Sequence, residues 1–327
     1  MDPTKQYALL VGLSKYPAIG DLKGPVNDLA DMTRWLTEDL HVPLQNIKSF
    51  SDVPTRYVEP RVADFEDWIT ELEDKAKDAP FPFGQRLYVY FAGHGYNATT
   101  AQQALILPRS RATGIWSAVP MVPLRNGLQL RAYFQEIVLL FDSCRSILKY
   151  APEAPWADRP AAHPKHASVR SYSIFASKSG SPAKEVEFTK DRWAGVVTQA
   201  FLAGVQGYAA DAEGVVYAHK LKSFLYAAVK DRLGRDTEPD VEDPSTEEEP
   251  WPLFYAQQKL PRIVIRPTTT KTGTVTITVR KDRTTHQVDL AAGVQVKEVE
   301  RGYYLVRLPD GQEKEVMAVW EEKVVEV

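Results

Sequence analysis

RLYVYFAGHGYN (residues 86–97) and EIVLLFDSCRS (136–146) decide the fold. Each begins as an unbroken apolar run, the pattern of a strand covered on both faces of a parallel sheet. Each then stops in small and polar residues, Gly93-His94-Gly95 in the first and Asp142-Ser143-Cys144 in the second. YALLVGL (7–13) is another such run. Behind it, Val26, Leu29, Met32, Leu36 and Leu40 recur at helical spacing after Pro25, a residue suited to a first helical turn. Val62, Phe65, Ile69, Leu72 and Ala76 trace a second amphipathic stripe. Asn46 to Phe50 and Tyr172 to Ala176 read as short strands. Gly195–Gly207 and Ala218–Leu233 read as helices, the second closed by Gly234. Strands alternating with helices predict an α/β layer fold around a mostly parallel sheet.

Further along, the texture changes twice. Residues 146–170 carry Pro152, Pro155, Pro160 and Pro164 and predict an exposed loop. Residues 236–249 hold Asp236, Glu238, Asp240, Glu242, Asp243, Glu247, Glu248 and Glu249 without a base, which predicts a solvated acidic loop. After Pro267, TVTITV (274–279), QVDL (287–290), VQVKEV (294–299), YYLVRL (303–308) and KEVMAVW (314–320) have β composition with turn signals between them. The expected organisation is a first domain over 1–260 and a small β-sandwich or barrel-like module over 261–327.

Composition narrows the function classes. The 327 residues are 44% hydrophobic and 25% charged, the ordinary globular range. A net charge of -3 argues against nucleic acid as a partner, since neutralising phosphates needs a basic face. No apolar run reaches the ~18–20 residues that cross a bilayer, so no membrane partner is expected. The opening residues lack the charge and cleavage pattern of a signal peptide, and a single cysteine excludes an internal disulfide. Both point to the cytoplasm.

Cys144 and His94 each follow a buried strand, where open parallel sheets collect functional groups. There an imidazole can serve a thiol as base and later as acid. The glycines beside His94 leave backbone amides open for an oxyanion. Taken one at a time, a lone cysteine also reads as a small buried hydrophobe and a histidine in a glycine turn as a turn residue.

The strand ending in Gly-His-Gly and the later strand ending in Asp-Ser-Cys resemble the caspase and metacaspase group of cysteine peptidases. YALLVGLSKYP (7–17) with LKGPVNDLADM (22–32) is similar to that group's first strand and helix. SYSIFASKSGSPAKE (171–185) with WAGVVTQAFLAGV (193–205) is similar to its later strand, acidic partner and helix, so the resemblance spans about residues 5–260. It implies a caspase-type three-layer sandwich, with Cys144 as nucleophile, His94 as general acid and base, and the amides of Gly95 and Cys144 as oxyanion donors. It implies an endopeptidase acting on proteins or peptides, with no cofactor required. Asp142, and Asp28 in GPVNDL, match the acidic positions with which metacaspase-like members bind a basic side chain, which implies cutting after Arg or Lys. Two carboxylates in a narrow pocket suit that charge. Asp28 also reads as a helix-start acid favoured by the macrodipole.

The 146–170 loop offers Lys149, Arg159, Lys165 and Arg170 where family members are cut between their large and small portions. A zymogen activated there by itself or by a partner peptidase, in a bacterial regulatory, antiviral defence or cell-death pathway, fits this resemblance. A plain surface insertion fits the loop as well. The sequence departs from the family in Arg145-Ser146-Ile147-Leu148, where relatives carry a glycine soon after the nucleophile. Arg145 reads either as a shield over the pocket or as a surface residue. Some metacaspases need calcium, but the acidic run lacks the ligand spacing of an EF-hand loop and no calcium or other metal site is assigned. His163 and His166 read as solvated. A catalytically silent scaffold that holds a protein partner remains the alternative from another class.

Overall fold

The structure, a computed structural model, describes residues 1–51, 60–77, 79–97, 103–110, 117–146, 156, 158–234, 237–245, 248–267 and 273–327. In chain order, β1 is Gln6–Gly12, α1 Pro25–Arg34, β2 Ile47–Ser51, α2 Val62–Lys77 and β3 Gly84–Ala92. Next come β4 Gly95–Asn97, β5 Gln103–Ile106, β6 Ala118–Pro120, α3 Met121–Arg131, β7 Phe134–Asp142 and β8 Arg170–Phe175. The hairpin of β9 Glu185–Thr189 and β10 Arg192–Gly195 leads into α4 Val196–Ala203. Then follow β11 Val215–Tyr217, α5 Ala218–Leu233, β12 Asp240–Glu242 and β13 Pro252–Tyr255. The chain forms two compact units, residues 1–202 with 237–245, and 203–236 with 246–327.

The first unit is built on a six-stranded sheet of order β12-β8-β7-β3-β1-β2, parallel except for β12 at the edge. Alternate residues of each apolar run face opposite layers. Leu9, Val11, Leu87, Val89, Phe91, Ile137, Leu139 and Phe141 pack with Phe65, Trp68, Ile69 and Leu72 of α2 and Leu124 and Leu128 of α3. On the other face Tyr88 meets Trp35, just beyond α1, and Trp35 meets Phe201 of α4. Burial on both sides is why the strands show no polar alternation. The expected three-layer α/β sandwich is the observed one.

The chain leaves β1 for β2 on one side, then returns to place β3 and β7 on the other. That reversal opens a crevice beyond the carboxyl ends of β1 and β3, the place where such sheets bind ligands. Because β3 and β7 pair in register, Ala92 against Asp142, the segments that follow them emerge side by side.

Two expectations are corrected. The acidic run is not a loop throughout: Asp240–Glu242 pairs antiparallel with β8, and Val241 is buried opposite Ile174. Residues 158–169 are largely exposed, as expected, but are fixed at several points. Asp158 pairs with Arg131, His163 donates its N–H to the Leu130 carbonyl and stacks on Phe81, and His166–Ser168 forms a turn of 3-10 helix. His163 is therefore a packed side chain rather than a solvated one. In the second unit, β14 Arg262–Arg266, β17 Gln295–Glu298 and β20 Lys323–Glu326 form one sheet. β15 Thr274–Val279, β16 Thr285–Asp289, β18 Gly302–Arg307 and β19 Glu313–Ala318 form another, and both contribute to one apolar core.

Candidate active site

The segments after β3 and β7 stay in contact once the sheet ends. Gly93 donates its N–H to the Asp142 carbonyl (3.3 Å) and Asn97 donates to that of Ser146 (3.0 Å). Between them Gly95 lies so close that a Cβ there would fall 2.7 Å from the Cys144 carbonyl oxygen and 2.8 Å from Ser143 Oγ. Only glycine permits that approach. His94 and Cys144 line one cleft with Leu22, Asp28, Asp142 and Glu185.

Burial pushes the Cys144 thiol above its ordinary pKa, and the Asp142 charge adds to the rise. The Ala183 N–H, which donates to Sγ at 3.3 Å, opposes it without prevailing. The thiol is therefore protonated at neutral pH, so nucleophilic chemistry at this sulfur would call for a base. His94 Nε2 lies 2.9 Å from the Gly20 carbonyl oxygen. A carbonyl can only accept, so Nε2 carries the hydrogen and the neutral ring keeps its lone pair on Nδ1.

Asp142 and Asp28 lie on the floor of the cleft, both buried. Asp142 Oδ2 accepts from the N–H (3.1 Å) and hydroxyl (2.7 Å) of Thr198. Since Thr198 donates there, its oxygen accepts from Tyr90, whose hydroxyl is 3.1 Å away. Asp28 accepts from the Gly195 N–H (2.7 Å) and from Gln199 Nε2 (3.0 Å). The two carboxylates thus satisfy free N–H groups at the start of α4. Among the described residues, Asp142 Oδ1 takes no hydrogen bond. Burial pushes the Asp142 carboxyl up to about 6, Thr198 opposing and Glu185 assisting. Asp28 is raised further, by burial first and then by the neighbouring Asp142 charge. Glu185, the third carboxylate of the cleft, accepts from the N–H groups of Lys23 and Gly24 and so ties β9 to the entrance of α1.

Three of the four loop candidates lie elsewhere. Arg159 donates to the Trp156 and Asp158 carbonyls, Lys165 lies over the Phe81 ring and Arg170 opens β8 opposite Glu136. Lys149 falls outside the described residues. Arg145 does not shield the pocket: its side chain pairs with Asp240 of β12 (2.6 Å) and covers the Phe175 ring. Sequence reasoning did not single out Thr198, Gln199 and Tyr90. Their types carry no signal, because a threonine and a tyrosine that serve a carboxylate look like any others until the sheet is assembled. Among the described residues no three His, Cys, Asp or Glu side chains gather to hold a metal ion, and no helix is long and apolar enough to cross a membrane.

A family model described as the caspase domain matches residues 5–260. Among solved structures, the crystal structure of caspase-1 from Spodoptera frugiperda is similar, with 12% identity and a TM-score of 0.48 over 79% of this chain and 92% of that one. No curated protein matches.

Proposed function

Since the chain belongs to the caspase-domain family over residues 5–260, we propose that it is an endopeptidase cutting after Arg or Lys, with Cys144 as nucleophile and His94 as acid and base. The observation that carries this reading is the contact of the two strand-end motifs at Gly95, which puts the lone cysteine and His94 in one cleft with buried carboxylates. As the Cys144 sulfur attacks the substrate carbonyl, its proton passes to the imidazole through Nδ1. The oxyanion that forms rests on the amides of Gly95 and Cys144. The imidazolium then gives its proton to the departing amine, and water, deprotonated by His94, hydrolyses the acyl-enzyme. Asp142 Oδ1 is the acceptor left open on the pocket floor, and a guanidinium or ammonium is the group that satisfies it.

Activation by a cut in 146–170 fits the anchors on either side. β7 and β8 are paired neighbours, so two pieces made there share one sheet.

Fluorogenic peptides ending in Arg, Lys or Asp test the whole reading, with Cys144→Ala and His94→Ala beside the wild type. Arg and Lys peptides are cleaved, Asp peptides are not, and each variant loses ~10³-fold or more. Preferential cutting after Asp, or a Cys144→Ala protein retaining a tenth of the activity, overturns it. Tight peptide binding by wild type without turnover favours the silent scaffold.

A further inference from the structure

We propose that Tyr16, buried in the loop between β1 and α1, is a positioning residue for His94, an inference that rests on the peptidase reading. Three of the four polar atoms of His94 are held. Its backbone N–H donates to the Tyr16 hydroxyl (3.0 Å), its carbonyl accepts from the Ile106 N–H (2.9 Å), and Nε2 donates to the Gly20 carbonyl (2.9 Å). The fourth, Nδ1, takes no hydrogen bond among the described residues, and it is the atom the reaction uses.

Tyr16 contributes to this arrangement in three ways. Its hydroxyl accepts from His94 and donates to the Ile106 carbonyl (3.2 Å), so it joins the His94 backbone to β5. Its ring meets the imidazole edge-on, with centroids 4.7 Å apart. Its carbonyl accepts from the N–H groups of Ile19 and Gly20 (both 3.2 Å), closing the turn that presents the Gly20 carbonyl to Nε2. That turn is fastened by Asp21, which accepts from the Tyr16 N–H (3.0 Å) and pairs with Lys15 (2.7 Å). The Leu22 N–H, donating to Ser14 (2.8 Å), shuts the loop behind it. The space for the hydroxyl exists because residue 93 has no side chain: a Cβ there would sit 2.3 Å from it. A displacement of about 1 Å at a catalytic group costs roughly 10²-fold in rate, so removing one of several restraints is expected to cost less.

Tyr16→Phe keeps the ring and removes the hydroxyl, and Asp21→Ala loosens the turn while leaving the hydroxyl in place. Wild type, Cys144→Ala and these two variants are compared in kcat and KM on an Arg peptide. The same proteins, labelled with ¹⁵N, are compared in the ring Nε2–H resonance of His94, assigned by its loss in His94→Gln. The expected result is a kcat about tenfold lower in Tyr16→Phe with KM within about twofold, and a ring N–H signal broadened by faster exchange in both variants. An unchanged kcat together with an unchanged resonance in Tyr16→Phe overturns the proposal. If wild type cleaves nothing but its ring signal broadens in Tyr16→Phe, the positioning holds and the peptidase reading fails.

Discussion

Asp142 shows how one side chain can serve two demands that conflict. It caps the first turn of α4 through Thr198 and also floors the cleft, and burial holds its carboxyl at about 6. The native chain therefore keeps a proton that the unfolded chain releases near 3.8, so the folded state binds more protons between those values. Stability from this group is full below the unfolded value and is lost as pH rises through about 6. Asp142→Asn removes that dependence. Relative to wild type the variant should gain about 2–3 kcal/mol on going from about pH 4 to about pH 7.5, while its kcat/KM on Arg peptides falls at least 100-fold. Thermal unfolding at both pH values, beside peptide kinetics, checks it; parallel pH profiles for the two proteins contradict it.

At the scale of elements, Glu185 of β9 and Gly195 of β10 line the cleft where the strand ends of the main sheet cannot, and α4 behind them holds the carboxylates. Gly195, where β10 passes into α4, donates to Asp28 and lies against the Asp142 carboxylate. A methyl there would fall 2.1 Å from Asp142 Oδ2, so hairpin and carboxylate must separate. Gly195→Ala should raise KM for Arg peptides at least tenfold and lower the melting temperature by several degrees, since a buried overpacking contact costs about 1–3 kcal/mol. Unchanged KM and melting temperature would show that the hairpin gives way freely. The hydrophobic patterns of β1, β3, β7, α1 and α2 were legible because each is long and buried in one consistent way. β4, β5, β6 and the β9–β10 hairpin were not. They run three to five residues each, too short for a period to show, and they are held by pairing rather than by their own composition.

For the whole molecule, the consequence concerns activation. Arg159, Lys165 and Arg170 stand in a segment fixed through Asp158 to the buried Arg131 and through Val169 to the core. Breaking one partner of a buried ion pair costs about 3–5 kcal/mol, so a peptidase gains access there only after local opening. Intact-mass analysis of active preparations is expected to show a nick within 146–170 with both pieces co-eluting, joined by the β7–β8 pairing. Arg131→Leu, which releases Asp158, should accelerate the nick several-fold. Full activity in an un-nicked chain would leave the segment as an ordinary connection.

The sequence by itself determined which strands are buried on both faces, where they stop, and that a histidine and the single cysteine stand at two of those ends. Burial writes itself into local composition, and chain punctuation is local too. It did not determine that Asp240–Glu242 completes the sheet edge or that Arg145 turns away from the pocket to meet it. Nor did it show which carboxylate oxygen is left open, or that Tyr16 holds His94. Those facts belong to pairs such as Asp28 with Gly195, 167 positions apart, and Tyr16 with His94, 78 apart. Hydrogen bonds and desolvation depend on distance in space, and that distance exists only once the strand order has brought these residues together.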